Sequence, residues 1–269
     1  MAQHPFTTGR WLEANHLQEN ENWQIARNKK NEVTSFCYVP NKDIKSIFLG
    51  TFPIYEISEN NTIGIHPEFF YGSNVNSFWP TLGSIFQQPT NDVQNYIELL
   101  NNLKIGIADI LLKTDRNPLT SSSDKDLYPV KYNNIYELLE KYPSIKNIFV
   151  TSGSREGIGL YNNSKKNATT WLKNSLRDVN EIIPRGFNLC GYKKTITVNN
   201  RVFNLIYLHS PSRQGGFSIN KILKEEIDFD LPDLNVNSFR LYQWEYFIKK
   251  YHLKQETNTP QALINFFEQ

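Results

Sequence analysis

Short apolar runs alternate along this 269-residue chain with longer segments of helical periodicity, and that alternation restricts the fold more than any other feature. Val, Ile and Phe cluster in five runs that we predict to be core strands: residues 45–50, 105–110, 146–151, 193–198 and 202–208. Apolar residues also recur on one face of 91–104 and of 133–142, and the second segment stops at Pro143. Helices separated by short buried strands predict an α/β fold, a three-layer α/β/α sandwich with a central, mostly parallel sheet.

The other segments complete this plan. The pair Asn199-Asn200 predicts a hairpin between the last two strands. Further helices are expected near 168–180, 217–228, 238–252 and 260–268. We expect three parts: residues 1–43 as an N-terminal extension with some helix, 44–228 as the α/β domain, and 229–269 as a C-terminal helical elaboration packed on the same domain.

Composition argues against several classes of protein. No apolar run approaches the roughly 20 residues of a membrane span, and the first residues lack the basic-then-apolar layout of a signal peptide. We therefore expect a cytoplasmic protein without a membrane partner. Cys37 and Cys190 lie far apart with no His at zinc spacing, so neither a disulfide framework nor a metal site is predicted. We expect a monomer without a cofactor.

Two segments in the first third of the chain are candidate ligand loops. In IFLGTFP, residues 47–53, a predicted strand breaks into Gly50-Thr51-Phe52-Pro53, and such strand ends bind ligands in α/β proteins. In FFYGSNVNSFWP, residues 69–80, aromatic rings beside carboxamides suit a flat heterocycle. The same residues also fit a core strand followed by a well-packed turn, since aromatic side chains commonly serve packing.

In their order, these segments resemble the uracil-DNA glycosylase superfamily, nearest its hypoxanthine-DNA glycosylase and mismatch-specific thymine/uracil branches. The matching segments are the Gly-Thr-Phe-Pro loop, Asn76-Ser77-Phe78-Trp79, GIADILLKTDR at 106–116, YPSIKNIFVTSG at 142–153 and LHSPSR at 208–213. The iron–sulfur members of the superfamily need four cysteines, and this chain has two. The resemblance implies a monofunctional hydrolase that cleaves the N-glycosidic bond of a deaminated or damaged base, such as uracil or hypoxanthine, during base-excision repair of DNA.

The resemblance also implies roles for individual residues. Asn76 would be catalytic, and Asp109 matches an acidic residue of the family only if a two-residue gap is allowed. Residues implied to bind the base are Gly50, Thr51, Phe52, Pro53, Phe70, Tyr71, Ser152, His209 and Ser210. Residues implied to bind DNA are Lys193, Lys194, Pro211, Ser212, Arg213 and Gln214.

Several of these assignments have alternatives. Asn76 could instead cap the helix that starts near Trp79, and His209 could be a structural hydrogen-bonding residue, with Ser210 in the place of the motif histidine. Phe52 stands where the mismatch-specific branch has Asn, and Ser152 stands before Gly153 where the hypoxanthine branch has Asn. The preferred base therefore stays open.

The distribution of charge fits a DNA partner better than the net charge of +2 does. From Pro184 to Lys224 the chain has seven basic residues and no acidic one, so phosphate contacts would flank LHSPSR. A solvated surface hairpin is the alternative. Two rival functions remain: a DNA-binding protein of this fold that does not cut, and a nucleotide- or small-molecule-binding protein that uses TSGSREGIG at 151–159. If the protein comes from a bacterium, we expect it to associate with the nucleoid.

Overall fold

A seven-stranded sheet forms the centre of the protein. The computed structural model describes residues 2–3, 22–53, 69–121, 123–153, 172, 174–176, 193–225 and 230–268. The strands of this sheet, in spatial order, are β2 (Trp23–Arg27), β3 (Val33–Tyr38), β5 (Ile105–Asp109), β4 (Ser46–Gly50), β8 (Asn147–Gly153), β10 (Arg201–His209) and β9 (Lys193–Val198). A second sheet has three strands in the order β1 (Ala2–Gln3), β6 (Leu111–Arg116) and β7 (Leu127–Tyr132).

The four middle strands, β5, β4, β8 and β10, run parallel, and the outer pairs are antiparallel. This confirms the predicted α/β fold with a central sheet. Gly50 pairs in register with Asp109, so both lie at the same edge. All four parallel strands present their carboxyl ends there, which is the edge where open α/β sheets bind ligands.

Helices cover both faces of the sheet. They are α1 (Phe78–Phe86), α2 (Val93–Leu103), α3 (Ile135–Lys141), α4 (Arg213–Glu225), α5 (Val236–Phe247) and α6 (Gln261–Phe267), and a π-helical turn, Ile248–Leu253, follows α5. Side chains of the strands alternate between two cores, so that Phe48 packs with Trp244 of α5 while Leu49 belongs to the opposite core, which includes Leu138 of α3. Within the described part of the chain, no helix is long and apolar enough to cross a membrane.

Three parts of the chain differ from the sequence-based expectation. Residues 22–38 form β2 and β3 of the central sheet instead of a separate extension with helix, because Trp23 and Phe36 bury their rings against one another. Strands β6 and β7 were not predicted, since β6 is polar from Lys113 to Arg116 and β7 is interrupted by Pro129. Helix α4 begins at Arg213, immediately after the Ser-Pro-Ser turn, whereas helical periodicity placed its start near 217.

Candidate functional site

The centre of the candidate site is Gly50, the last residue of β4, which lies between the ends of β5 and β8. A Cβ atom on Gly50 would lie 2.1 Å from Oδ1 of Asp109 and 2.4 Å from the hydroxyl oxygen of Tyr71. Both oxygens can occupy this space only because residue 50 has no side chain. The Asp109 main chain is fixed by the buried side chain of Asn133, whose Nδ2 donates to its carbonyl oxygen at 2.7 Å.

Tyr71 is held rigidly above Gly50. Its hydroxyl lies 2.6 Å from Oγ1 of Thr151, and Thr151 donates in turn to the carbonyl of Leu49 at 3.2 Å, so the phenol is the donor of the first bond. The ring stacks on Phe78 with 4.1 Å between centroids and 3° between planes. Burial, reinforced by the Asp109 carboxylate, raises the pKa of Tyr71 well above its usual value, so the phenol stays protonated.

The backbone of Tyr71 adopts φ 56°, a left-handed conformation that bulky residues rarely take. Such strain persists where the surrounding contacts over-determine it, and it concentrates at functional sites. One face of the ring is covered by Phe78, and the residue as a whole is only partly buried.

A second carboxylate reaches the site from a distant segment. Asp124 lies in the short 3-10 turn before β7, and its Oδ2 accepts a hydrogen bond of 2.9 Å from Oγ1 of Thr51. Desolvation raises the pKa of Asp124 to about 6; the Asp109 carboxylate acts in the same direction, while Thr51 and Arg116 oppose it. The residue as a whole is exposed, whereas its Oδ2 faces the buried Thr51. No motif in the sequence indicated Asp124.

Arg116 joins the loop after β4 to this second segment. Its guanidinium is buried and donates to the carbonyl oxygens of Pro53 and Ser121. The same guanidinium lies over the ring of Phe52, 5.5 Å from its centroid. Phe52 and Pro53 therefore have the structural task of anchoring the loop that carries Gly50 and Thr51.

The Asn-x-Phe-Trp segment contacts the Ser-Pro-Ser segment directly. Both the backbone N–H and the hydroxyl of Ser77 donate to the carbonyl oxygen of Pro211, at 3.0 and 2.9 Å, across 134 positions of sequence. Asn76 lies beside this contact, and its Oδ1 accepts from the N–H of Phe78 at 2.9 Å. The N-cap position of α1 is Ser77, so Asn76 accepts this bond from one position before the cap.

Ser210, Pro211 and Ser212 form a tight turn that starts α4. The hydroxyls of Ser210 and Ser212 lie 2.8 Å apart, and the N–H of Gly215 donates to Oγ of Ser212 at 3.4 Å. Arg213 is exposed in the first turn, with its guanidinium 5.9 Å from the ring centroid of Phe217, which is also exposed. The side chain of Gln214 lies outside the described residues.

His209 is enclosed by α5, contrary to the expectation that it contacts a base. Its ring is fully buried, edge-on to Phe239 at 5.6 Å, and burial lowers its pKa to about 3. The amide of Gln243 lies close enough to favour the protonated ring, although neither ring nitrogen has a partner at full hydrogen-bonding geometry. His209 therefore supports α5, as its backbone bonds to Gln243 and Trp244 also indicate.

The other expected site residues are dispersed. Phe70 is buried in the core, where it stacks with Trp23 and Phe36, so it offers no ring face to a base. Lys193 lies on edge strand β9 with its Nζ 4.6 Å from the ring centroid of Tyr251, next to the partly buried Lys194. Ser152 belongs to β8, but its side chain lies outside the described residues, as does most of TSGSREGIG.

Metal ligation finds no support in the described ranges, where no group of three or more His, Cys, Asp or Glu side chains could hold an ion. The arrangement around Gly50 is instead one of two carboxylates, a protonated phenol and two threonine hydroxyls. Such a set can position water, donate protons and hold a planar ring.

The sequence has little similarity to known proteins. No protein-family profile matches the sequence, and no curated protein is significantly similar to it. Among solved structures, the chain is similar to the solution NMR structure of "a putative Uracil DNA glycosylase from Methanosarcina acetivorans", with 15% identity and a TM-score of 0.42. The match covers 78% of this chain and 92% of that chain. A likeness this distant does not transfer a function.

Proposed function

We propose that this protein hydrolyses the N-glycosidic bond of a deaminated or damaged base in DNA. One observation carries the proposal: segments that resemble the glycosylase superfamily, although far apart in sequence, converge at the carboxyl edge of the sheet. Gly50 of the first loop lies beneath Tyr71 of the aromatic segment, and Ser77 of that segment bonds to Pro211 of the Ser-Pro-Ser turn. Packing alone does not require that these motif residues meet at one place.

The chemistry of the site fits this reaction. Cleavage builds positive charge on the sugar and negative charge on the leaving base, so it needs a nearby carboxylate, a positioned water and donors for the base. Asp109 supplies a buried carboxylate beside the space above Gly50. Tyr71 supplies a ring for stacking, and Asn76 supplies amide hydrogens that can donate to a base carbonyl.

The start of α4 is the proposed DNA-facing part of the site. Its first turn contains Arg213 and no acidic residue, and the N-terminal end of a helix favours phosphate. The exposed Arg213 and Phe217 side chains lie one helical turn apart, where they can fill the space that a flipped nucleotide leaves in the duplex. The adjoining Ser210 and Ser212 hydroxyls can bond to the backbone of DNA.

Base release decides the proposal. We expect the protein to release one or more of uracil, hypoxanthine, xanthine or mismatched thymine from single- or double-stranded oligonucleotides. Asp109→Asn should lower the rate by about 10²-fold or more, because the amide neither takes a proton nor balances the charge on the sugar. Asn76→Ala should lower the rate with little loss of DNA binding, since its amide acts on the base.

A matched control is Asp43→Asn, which removes a carboxylate that is 82% exposed and pairs with Lys104 only at 4.0 Å. This variant should behave as the wild type does, both in base release and in thermal unfolding. If the wild type binds DNA but releases no base from any of these substrates, the proposal fails and a non-cutting DNA-binding protein of this fold takes its place.

A further inference from the structure

The segment from Leu111 to Tyr132, which we call the arm, contains β6, β7 and the turn between them. It is fastened to the loop after β4 at several points, and the first is the N–H of Leu111, which donates to the carbonyl of Thr51 at 3.1 Å. Thr51 donates to Asp124, and Arg116 donates to the carbonyl of Pro53. The arm therefore places the Asp124 carboxylate beside Thr51, the residue that follows Gly50. Asp124 belongs to none of the segments that resemble the glycosylase superfamily.

We propose that Asp124 is a second catalytic residue of this site and donates a proton to the departing base. This inference rests on the glycosylase function proposed above. Asp109 is 5% exposed and its Oδ1 lies against Gly50, whereas Asp124 is exposed and accepts a hydrogen bond from Thr51, the residue after Gly50. The two acids thus occupy an inner and an outer position around the same loop, as expected for a pair in which one serves water and the other serves the leaving group.

The step balances without any further reactant. The bond between C1′ and the base nitrogen breaks, and its electron pair goes to the base. The proton of the Asp124 carboxyl moves to a nitrogen or carbonyl oxygen of the base, which leaves neutral. Water attacks C1′, and its proton moves to the Asp109 carboxylate. Asp124 then takes up a proton from solvent and Asp109 releases one, which restores the starting state of both residues.

The surroundings of Asp124 raise the pKa of its carboxyl to about 6. Desolvation and the Asp109 carboxylate favour the neutral acid, while Thr51 and the Arg116 guanidinium favour the anion. Burial and the Asp109 and Asp124 carboxylates raise the pKa of the Tyr71 phenol, so it stays protonated and does not compete for the role of base. An acid whose pKa lies near the working pH is the most effective proton donor.

The pH dependence of base release tests the proposal. In the wild type we expect the rate to fall as pH rises through about 6, where Asp124 loses its proton. Asp124→Asn should be slower by about 10²-fold at low pH, and the difference should shrink as pH rises, because the wild type then also lacks the acid. Thr51→Val removes a hydrogen bond that favours the anion, so it should move the fall of the rate to higher pH.

Two comparisons separate this role from a structural one. The control variant is Asp126→Asn. Asp126 lies in the same turn as Asp124, but its carboxylate accepts a hydrogen bond from Ser121 and not from Thr51, so this variant should keep the wild-type pH profile. For substrates that the enzyme cleaves, a base that leaves more readily, such as 5-fluorouracil in place of uracil, should reduce the defect of Asp124→Asn, whereas a folding defect would affect both equally.

The outcomes are distinguishable. If the wild type releases base and Asp124→Asn keeps both its rate and its pH profile, the role of Asp124 is refuted while the glycosylase function stands. If Asp124→Asn is equally slow at every pH and with every leaving group, the residue is structural and the proposal fails. If the wild type releases no base at all, both proposals fall together.

Discussion

At the scale of single residues, Gly50 is the position on which the site depends most. We predict that Gly50→Ala lowers the free energy of unfolding by about 1–3 kcal/mol, the usual range for overpacking, and abolishes base release. The new methyl group would displace the Asp109 carboxylate or the Tyr71 hydroxyl, which lie 2.1 and 2.4 Å from its place. Urea denaturation and an oligonucleotide assay measure the two effects.

Gly216 offers the matched control. A Cβ atom there would lie 3.5 Å from Val236, an ordinary contact, and the residue is in a helix. Gly216→Ala should therefore stabilise the protein by roughly 0.5–1 kcal/mol through helix propensity, with base release unchanged. A Gly50→Ala variant as stable and as active as the wild type would show that the space above Gly50 is not constrained as described.

The sequence indicated some site residues and missed others for physical reasons. Gly50 and Tyr71 lie in a local pattern of a strand end and an aromatic loop, so their neighbourhood was predictable from nearby residues. Asp124 was not, because its position depends on the pairing of β6 with β7 and on the Thr51 hydroxyl, 73 positions away. His209 and Phe70 have suitable residue types, but only tertiary packing reveals that their rings are buried.

At the scale of elements, helix α5 stabilises the contact between the start of α1 and the turn before α4. Arg240 of α5 is 4% exposed and donates to Oγ of Ser77 at 2.9 Å. Burial lowers the pKa of Arg240 to about 10, yet the group stays charged at neutral pH. Among the described residues, no carboxylate forms an ion pair with it, so the Ser77 hydroxyl is an important acceptor for a buried cation.

We predict that Ser77→Ala lowers the free energy of unfolding by about 1–3 kcal/mol, because it removes an acceptor from a buried charged donor. Arg240→Met removes that donor, so the double variant should lose less than the sum of the two single variants in a double-mutant cycle. Base release should fall in both single variants, since the turn at Pro211 loses its anchor. Ser84→Ala, which changes an exposed serine of α1, should have little effect. Strict additivity would contradict the coupling.

The elements themselves were largely predictable, and the exceptions follow from partners distant in sequence. The parallel strands have continuous apolar runs because both faces of the sheet are covered. Strand β3 pairs with β5 through one described residue pair, Tyr38 and Ile107. No local sequence pattern predicts this contact. The start of α4 was predicted too late in the sequence because Gly215 and Gly216 weaken helical periodicity. In the structure the N–H groups of these two glycines donate to the side chain and the carbonyl of Ser212, which allows the helix to begin earlier.

At the scale of the whole molecule, buried titratable groups make stability depend on pH. Burial lowers the pKa of His209 to about 3 and that of His252 to about 4, so both rings are neutral in the folded protein. His252 is fixed between Ser46 and the carbonyl of Leu103 at the amino-terminal edge of the sheet. Asp124 acts in the opposite direction, because its pKa is raised on folding.

We predict that stability is full above about pH 6.5 and falls as pH is lowered toward 4, because the unfolded histidines bind protons there and the folded ones do not. Each histidine contributes up to about 1.4 kcal/mol per pH unit in this range. Asp124 offsets part of the fall, since it holds its proton in the folded state up to about pH 6 while the unfolded carboxyl has already lost it. Urea midpoints measured across this range should therefore fall more steeply for Asp124→Asn and less steeply for His252→Gln. Parallel curves for the three proteins would show that neither group differs in protonation between the folded and unfolded states.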